Sequence, residues 1–468
     1  MSYFIDLNHY GMKPALIADD GTSLSYDELC EKGDSFFKDS VEPRSLIFIL
    51  CSNSLESIVG YVGALRNNIV PVLVDAELTP ELFEMLFENY KPNFVWMPDP
   101  KKELVDGECI YNLDDYVLVK TKYSDKPQMN EELGLLLTTS GSTGSPKLVR
   151  QSYNNIASNT ASIIEYLDIK SSDRPITTLP MNYTYGLSII NSHLMAGATI
   201  LVTKHSIMEK EFWTFFDAEK ATTFGGVPYT YQILKRLRFF NRDLSNIRYL
   251  TQAGGKLPYE LSLEVATKCK EKGFDFIVMY GQTEATARMA YLPKEYAISK
   301  CGCMGIAIPG GKFWLQDDDG KIIDEADTVG ELVYQGDNVT LGYAECREDL
   351  AKGDERHGVL VTGDMAKRDS DGFYAIVGRK KRFIKVFGSR VNLDETERLL
   401  MGKGYTCACA GVDDRMSIYT EDEGKEKEIL YEVSHLLNIN ASAFKVKHIP
   451  AIPKNDAGKT LYTKLENL

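Results

Sequence analysis

Short apolar runs alternate with longer amphipathic stretches along the first half of the chain. The apolar runs indicate strands, and the amphipathic stretches between them indicate helices. The predicted strands are residues 45–51, 70–74 and 93–97, and the predicted helices between them are residues 54–66 and 81–90. This alternation predicts a mostly parallel sheet with helices on both faces.

The same pattern recurs further along the chain. Apolar runs lie at residues 198–203, 222–226, 249–252 and 276–279, and they are separated by helix-like segments such as 231–239 and 260–271. We therefore expect two related α/β layers.

From about residue 302 the pattern changes to short alternating strands and turns. Residues 313–316, 321–323 and 331–335 indicate a small antiparallel sheet or barrel. A second change follows the basic run at residues 379–382. The residues after it have strand and helix signals of their own, at 408–411, 416–419, 426–437 and 444–449.

The predicted fold class is therefore α/β with two domains. Residues 1–380 are expected to form a large amino-terminal domain, made of two α/β layered subdomains and a small β-barrel-like subdomain. Residues 381–468 are expected to form a small α+β carboxyl-terminal domain.

Composition and charge narrow the possible functions. The 468 residues carry a formal net charge of −14, which argues against non-specific nucleic-acid binding, although a local basic patch could still bind an anionic partner. Residues 57–75 are interrupted by Arg66, Asn67 and Asn68, so no membrane span is expected. Residues 1–10 lack the pattern of a secretory signal. We predict a cytoplasmic protein.

The nine cysteines predict neither a metal site nor a redox pair. Cys301 and Cys303, like Cys407 and Cys409, are one residue apart, whereas zinc and redox pairs have Cys-x-x-Cys spacing. Cys407 and Cys409 lie in an alternating run. They are expected to face the same side of a strand as small buried hydrophobic residues.

A loop rich in hydroxyls and glycine, residues 138–147, follows the apolar run 133–137 and ends in Lys147. Glycines let backbone N–H groups approach an anion, hydroxyls add donors, and lysine adds a positive charge, so the loop predicts phosphate binding. A Walker loop needs Gly-Lys-Ser/Thr, whereas Lys147 follows proline, which argues against a nucleotide hydrolase of that type. The alternative is a flexible surface loop. The position between a predicted strand and a helix-like segment that starts near Ser152 favours the phosphate site.

Further segments have chemistry that suits a nucleotide. In Tyr280-Gly281-Gln282-Thr283-Glu284, the tyrosine can stack on a base, the threonine can reach a phosphate and the glutamate can hold Mg²⁺. Asp364 follows a strand and a glycine, and its carboxylate can accept hydrogen bonds from both hydroxyls of a ribose. Arg379 follows, and Lys459 lies near the carboxyl terminus.

In this order and at these separations, the segments resemble the adenylate-forming superfamily of acyl- and aryl-CoA synthetases, amino-acid adenylation domains and luciferases. The resemblance covers about residues 22–464, and residues 302–310 are similar to the family's Gly-Ser-Val-Gly-x-Pro-x-Pro-Gly connector. It implies catalytic roles for Thr283, Glu284 and Lys459, with Glu284 as the metal ligand. The residues that it implies for nucleotide binding are Thr139, Ser140, Gly141, Ser142, Thr143, Gly144, Lys147, Gly254, Gly255, Lys256, Tyr280, Gly281, Asp364 and Arg379.

The resemblance implies two half-reactions that use ATP and Mg²⁺. A substrate carboxylate attacks the α-phosphorus of ATP and releases pyrophosphate. A phosphopantetheine thiol, of coenzyme A or of a carrier protein, then attacks the acyl-adenylate and releases AMP. Lys459 is expected to bridge the attacking carboxylate and the α-phosphate, while Lys147 and the loop hydroxyls hold the β- and γ-phosphates.

The resemblance also implies that a mobile carboxyl-terminal domain rotates about Lys381 between the two steps. The rotation would withdraw Lys459 and bring Lys385 and Gly388 towards the site, where a glycine leaves room for the pantetheine arm. The alternative interpretation of residues 379–390 is a solvated basic face. These residues could equally contact an acidic carrier protein or the phosphates of coenzyme A.

Residues 179–187 bear on the identity of the acid. Amino-acid-activating relatives usually have Phe-Asp here, and Thr184 occupies the position of the aspartate that pairs with the substrate ammonium. The segment is more similar to the Leu-Pro-x-x-His-x-Tyr-Gly-Leu pattern of acyl- and aryl-CoA ligases, with Tyr183 in the position of the histidine. We therefore expect a carboxylic acid without an α-amine.

Five residues are predicted to form the substrate pocket: Tyr183, Tyr185, Tyr229, Gly254 and Arg288. Ordinary core packing is the alternative for each of the aromatic residues. Arg288 either recognises a polar or second acidic group of the substrate or pairs with a nearby glutamate.

Some positions depart from the family pattern. Leu148 replaces a common glycine after Pro-Lys, Tyr153 replaces a common histidine, and the region between Val412 and Phe444 is short. The adenylation residues are intact, so the departures concern the thiol step. We predict an AMP-forming acid–thiol ligase. The alternatives are a stand-alone amino-acid adenylating enzyme and a non-catalytic nucleotide-binding relative.

Overall fold

The computed structural model of the protein describes residues 4–38, 41–138, 147–386, 389–412, 414–437, 439–454 and 460–466. Helices and strands are numbered in chain order within these ranges. Helices α1 to α11 are Tyr26–Lys38, Leu55–Arg66, Pro80–Tyr90, Tyr153–Leu167, Thr184–Met195, Lys210–Ala218, Pro228–Arg236, Tyr259–Lys272, Leu393–Gly402, Glu426–Leu437 and Tyr462–Glu466. Short 3-10 helices are Ile5–Tyr10, Asp99–Leu104, Phe239–Asn241, Thr283–Ala285, Lys294–Tyr296, Arg347–Ala351, Lys380–Arg382 and Ala441–Ala443.

The strands form several sheets. Strands β1 to β13 are Pro14–Ala18, Ser23–Ser25, Leu46–Cys51, Val70–Asp75, Phe94–Pro98, Gly107–Leu113, Tyr116–Thr121, Leu133–Thr138, Leu148–Ser152, Ile200–Val202, Thr223–Gly226, Tyr249–Gln252 and Asp275–Tyr280. Strands β14 to β26 are Ala290–Tyr291, Ile306–Ala307, Lys312–Gln316, Ile322–Ile323, Val329–Gln335, Gly342–Ala344, Val359–Arg368, Tyr374–Arg379, Phe383–Val386, Ser389–Asn392, Cys407–Val412, Arg415–Thr420 and Phe444–His448.

An eight-stranded sheet forms the first α/β layer, in the order β19-β9-β8-β4-β3-β5-β7-β6. Strands β8, β4, β3 and β5 are parallel, and the pairs at both edges are antiparallel. Alternate residues of β3 pack on different helices: Ile47 and Ile49 join the apolar cluster of α1 and α2, whereas Phe48 joins that of α3. Because side chains alternate across a strand, helices cover both faces, as the βαβα pattern predicted.

The second α/β layer is a sheet in the order β11-β12-β13-β14-β15, whose first three strands are parallel. Helices α6, α7 and α8 share one apolar cluster with its strands. The strand predicted at residues 198–203 is present as β10, but it pairs with β1 in a separate three-stranded sheet.

The described residues of the carboxyl-terminal third form three smaller sheets, two of which the change of pattern predicted; the third is the two-stranded pair β22-β23. Strands β17-β16-β18-β20-β21 form an antiparallel sheet, and β24-β25-β26 form a sheet packed on α9 and α10. Cys407 and Cys409 are both buried in the cluster with these helices, as their spacing predicted. These layers agree with the predicted fold class. The domain boundary at residue 380 stays a prediction, and Asn392 Nδ2 donates to the carbonyl of Val377 across it over 2.9 Å.

The loop at residues 138–147 was expected to lie between a strand and a helix-like segment that starts near Ser152. The apolar run is indeed a strand, β8, and a helix begins at Tyr153 with Ser152 as its N-cap. However, strand β9 lies between the loop and the helix and pairs antiparallel with β8. The loop therefore connects the two strands of a hairpin.

None of the described helices combines the length and the apolar composition that crossing a bilayer requires.

Candidate active site

Asp364 is held at the centre of a polar cluster by strand pairing. It lies in β20 directly opposite Arg379 of β21, and Arg379 Nε is 2.7 Å from Asp364 Oδ1. The Asp364 side chain is 3% exposed, whereas that of Arg379 is 58% exposed. Burial raises the pKa of the Asp364 carboxyl, and the Arg379 guanidinium opposes that rise.

The second oxygen of Asp364 accepts hydrogen bonds from the end of β13. Tyr280 OH donates to Oδ2 over 2.5 Å, and Gln282 Nε2 donates to the same oxygen over 2.7 Å. Burial and the neighbouring carboxylate raise the pKa of Tyr280 well above its usual value, so its hydroxyl stays a donor. A carboxylate has about four acceptor positions, so an acceptor position remains on Oδ1 beside the exposed side chain of Arg379. The predicted residues Tyr280, Asp364 and Arg379 are thus brought together.

Glu284 lies in the 3-10 helix Thr283–Ala285, which Thr283 begins. Its Oε1 accepts a hydrogen bond from Tyr343 OH over 2.6 Å. Arg356 Nη1 donates to the Glu284 carbonyl over 2.9 Å, and its guanidinium carbon lies 4.8 Å from the centre of the Tyr343 ring. Burial, followed by the Glu284 carboxylate, raises the pKa of Tyr343 to about 12, so the phenol is protonated at neutral pH.

Lys147, directly before strand β9 of the eight-stranded sheet, also lies near Tyr343. The pairing of β9 with β19 sets Leu148 opposite Ala344, so that Lys147 and Glu345 are neighbours. Lys147 Nζ lies 2.7 Å from Glu345 Oε1 and 5.8 Å from the centre of the Tyr343 ring. Two cations, Lys147 and Arg356, therefore lie near a single tyrosine ring, whose hydroxyl donates to the Glu284 carboxylate. This arrangement suits a polyphosphate.

Several predicted site residues lie outside the described residues. They are Thr139, Ser140, Gly141, Ser142, Thr143 and Gly144 of the predicted phosphate loop, together with Gly388 and Lys459. Their assignments stay predictions. The backbone of Lys381 lies in the 3-10 helix Lys380–Arg382, and that of Lys385 lies in β22.

The predicted substrate residues Tyr183 and Gly254 are in close contact. Gly254 has a φ of +81°, and a Cβ added there would lie 2.6 Å from Tyr183 OH and 3.0 Å from Val227 Cγ1. The position therefore requires glycine for both conformation and space. Gly255 and Lys256 are exposed, and Lys256 Nζ donates to the carbonyl of Ile376 over 3.0 Å.

Tyr185 and Arg288 lie deeper than Tyr183. Tyr185 is 3% exposed, and its hydroxyl donates to Thr251 Oγ1 over 2.8 Å. The guanidinium carbon of Arg288 lies 5.0 Å from the centre of the Tyr185 ring. Tyr183, Tyr185, Gly254 and Arg288 remain predicted substrate residues, and for brevity we call these four the acyl-pocket residues. Tyr229, predicted to belong with them, is 51% exposed at the start of α7.

The hydrogen bond of Thr184 argues against a role in binding a substrate ammonium. It is buried, and its hydroxyl donates to the carbonyl of Thr286. Its oxygen therefore serves the backbone of the turn that follows Glu284 and offers no negative charge to an ammonium.

Three residues of these clusters were not predicted from the sequence: Gln282, Tyr343 and Arg356. Gln282 stood as the variable position of the Tyr-Gly-x-Thr-Glu segment, so its polar side chain at a strand end was a usable signal. Tyr343 and Arg356 are far from the motif along the chain and reach it only through the pairing of β19 with β9 and the turn after it.

Comparison with known proteins shows which enzymes this chain is similar to. The family model of AMP-binding enzymes matches residues 5–344. The chain is 26% identical over 451 residues to 2-succinylbenzoate–CoA ligase of Bacillus cereus, a match that covers 90% of this chain and 88% of that protein. It is 30% identical over 295 residues to feruloyl-CoA synthase of an Amycolatopsis species, and this match spans 62% of this chain but only 58% of the synthase.

Solved structures share the whole fold. O-succinylbenzoate coenzyme A synthetase of Bacillus subtilis, in complex with AMP, has a TM-score of 0.80 at 21% identity, covering 100% of this chain and 99% of that one. ATP-bound MatB of Rhodopseudomonas palustris has a TM-score of 0.80 at 20% identity, with the same coverage. The predicted fold is confirmed, and the predicted class, an acid–thiol ligase, is that of both curated relatives. The chain belongs to the family of AMP-binding enzymes, as the resemblance of its motifs predicted.

Proposed function

We propose that this protein uses ATP to convert a carboxylic acid to an acyl-adenylate, and then transfers the acyl group to the thiol of coenzyme A. The observation that carries the proposal is the pair of adjoining clusters. One is built on the buried Asp364 carboxylate and suits a ribose. The other gathers Glu284, Lys147 and Arg356 around Tyr343 and suits phosphates.

The first step is a displacement at phosphorus. An oxygen of the substrate carboxylate bonds to the α-phosphorus, the bond to the bridging oxygen breaks, and pyrophosphate leaves with the electron pair. The protein supplies position and charge rather than a nucleophile. Lys147 and Arg356 bind the departing pyrophosphate, and Lys459 reduces the repulsion between the carboxylate and the α-phosphate. In the second step the thiolate sulfur bonds to the acyl carbon and AMP departs.

Glu284 fits a Mg²⁺ ion. One of its oxygens accepts from Tyr343, and the other accepts no hydrogen bond from any residue that the structure describes. Mg²⁺ is commonly held by one or two carboxylates together with substrate phosphates, so a single well-oriented glutamate is sufficient. Bound there with ATP, the ion supplies further neutralisation of phosphate charge.

The substrate pocket favours an acid without an α-amine. Thr184 bonds to backbone, and the charged residue among the acyl-pocket residues is the cation Arg288. A substrate ammonium would therefore meet like charge rather than a carboxylate, at a high desolvation cost. This argues against the stand-alone amino-acid adenylating enzyme.

The proposal also covers the acceptor of the acyl group, the domain movement and the cellular location of the enzyme. Coenzyme A is the proposed acceptor, as in the names of both curated relatives, and an acyl or peptidyl carrier protein is the alternative. The domain boundary at residue 380, the rotation about Lys381 and a cytoplasmic location belong to the same proposal.

The proposed function is tested by ATP–pyrophosphate exchange with fatty, aryl, hydroxy and amino acids. We expect exchange with non-amino acids only, and formation of a thioester when coenzyme A is added, detected by mass spectrometry. Exchange that responds to amino acids alone would favour the alternative enzyme. If a thioester forms on a phosphopantetheinylated carrier protein and not on coenzyme A, the proposed acceptor is wrong.

Tyr343→Phe tests the metal-type site. The substitution removes the hydroxyl that orients the Glu284 carboxylate but keeps the ring beside Lys147 and Arg356. Because groups that orient a metal ligand usually affect affinity, we expect the Mg²⁺ concentration for half-maximal exchange to rise about tenfold. Tyr431→Phe, at a tyrosine 69% exposed on α10, is the matched control. An unchanged Mg²⁺ dependence in Tyr343→Phe would remove Glu284 from the metal site.

A further inference from the structure

Arg288 is a buried cation among neutral partners. The residue is 2% exposed. Its Nε donates to Ser188 Oγ over 3.1 Å, and its Nη1 donates to Tyr166 OH over 3.1 Å and contacts Met279 Sδ at 3.0 Å. The Tyr185 ring lies against the guanidinium. These contacts hold the side chain in place but provide no negative charge.

Arg288 forms no ion pair with a carboxylate of any described residue. The sequence left open that it pairs with a nearby glutamate, and the described part of the chain contains no such pair. Burying a guanidinium without a counter-charge is costly, because the charge loses hydration that hydroxyls and a ring replace only in part. The Arg288 guanidinium therefore lacks a counter-charge among the described residues.

A small cavity of about 10 Å³ adjoins the guanidinium, which is close to the space that one water molecule needs. The other polar side chains in its wall are those of Thr223, Thr251, His193 and Tyr249, and the rest of the wall is apolar. The cavity thus places space for one small polar group, such as a carboxylate oxygen, beside the cation and a few hydroxyls.

His193 contributes no charge to this cavity. Its Nδ1 lies 2.8 Å from the carbonyl oxygen of Ile189, which can only accept, so Nδ1 carries the proton. Its Nε2 then accepts from Tyr249 OH over 3.2 Å. Burial lowers the pKa of His193 to about 4, so the ring is neutral at pH 7. Among the described residues of the cavity wall, Arg288 alone carries a formal charge.

We propose that Arg288 binds a second carboxylate of the substrate, so that the acid activated by this protein is a dicarboxylic acid. The inference rests on the proposed function. The guanidinium presents paired N–H donors that match a carboxylate, and its Nη2 donates to none of the described residues. The reacting carboxylate would then lie towards Tyr183, whose ring centre is 6.3 Å from that of Tyr185.

The test compares each dicarboxylic acid with the monocarboxylic acid of the same skeleton. Suitable pairs are succinate with butyrate, glutarate with valerate, adipate with hexanoate, and the three benzenedicarboxylates with benzoate. We measure kcat/KM in ATP–pyrophosphate exchange and form the ratio within each pair. At least one pair is expected to favour the diacid, and Arg288→Met is expected to lower that ratio about 10- to 100-fold, the usual effect of losing a hydrogen bond to a charged group.

Three variants separate charge from packing. Arg288→Lys keeps the cation without the paired donors, so it should retain part of the preference for the diacid. Arg242→Met is the matched control, because Arg242 also lies against an aromatic ring, at 4.6 Å from Trp213, but is away from the acyl-pocket residues. It should leave the ratio unchanged. Tyr166→Phe removes one hydrogen bond to Arg288 and should lower the ratio less than Arg288→Met does.

The outcomes distinguish this inference from the proposed function. If kcat/KM favours the monoacid in every pair, or if Arg288→Met lowers kcat/KM equally for both acids of a pair, Arg288 serves packing. The inference is then wrong, while the proposed adenylation stands. If no acid supports exchange, the proposed function is wrong. Calorimetric titration of the panel diacids into the wild type and Arg288→Met, without ATP, then decides whether the cation binds a diacid. If Arg288→Met does not fold, Arg288→Lys and Tyr166→Phe provide the same comparison.

Discussion

Replacing Lys459 with alanine is expected to lower the rate of ATP–pyrophosphate exchange by about 1,000-fold, the upper range for loss of one group that stabilises a developing charge in a transition state. The reacting carboxylate and the α-phosphate are both anions, so a cation between them acts mainly as the new bond forms. The ground-state affinity for ATP should change little, because we propose that the Asp364 cluster and the groups around Tyr343 hold the rest of the nucleotide.

Two measurements decide the role of Lys459. Exchange kinetics report the chemical step, and binding of ATP by calorimetry in the absence of acid reports the ground state. Lys454→Ala is the matched control, since it removes an exposed lysine from the same terminal segment. Full exchange activity in Lys459→Ala, or an equal loss in Lys454→Ala, would show that another group neutralises the charge. A loss of ATP affinity as large as the loss of rate would assign Lys459 to binding.

The layers of the fold could be predicted from sequence because their signals are local. Strand β3 is an unbroken apolar run, since both of its faces are covered, and helix α2 follows it with Ser54 as its N-cap. The opposition of Asp364 and Arg379 was not itself predicted, but it is also local, because the two residues lie in consecutive strands of one antiparallel sheet. A short turn between two such strands brings residues that are close in the chain next to each other.

Other features of the site depend on contacts between distant segments. Strand β9 was missed because only two of its residues, Leu148 and Val149, are apolar, and it directly precedes α4. Tyr343 enters the site because β19 joins the edge of a sheet whose other strands are far earlier in the chain. Whether Arg288 had a carboxylate partner could not be known from sequence, because its neighbours Ser188 and Tyr166 come from two separate helices. A short strand pairing or a helix contact over such separations leaves no local pattern.

Asp364→Asn is expected to raise the dissociation constant of ATP about 1,000-fold, within the range for breaking a buried, hydrogen-bonded charge. The buried carboxylate accepts from Arg379 on one oxygen and from Tyr280 and Gln282 on the other. The asparagine side chain has the same shape, but an NH₂ donor replaces one of the two acceptor oxygens. In either orientation of the amide, this NH₂ group faces another donor. Asp371→Asn is the control, because its carboxylate lies in an exposed turn and pairs with Lys300 at the surface.

Comparison of ATP with 2′,3′-dideoxy-ATP separates a ribose contact from a purely structural role. If Asp364 accepts hydrogen bonds from the ribose diol, the wild type should prefer ATP, and the preference should fall close to unity in Asp364→Asn because the receiving oxygen is lost. If the variant weakens both nucleotides equally and keeps the preference, Asp364 acts only by holding Tyr280 and Arg379. A ribose hydroxyl would donate to the acceptor position left on Oδ1. Arg379, more than half exposed, can move away from that oxygen and leave room for a second hydroxyl.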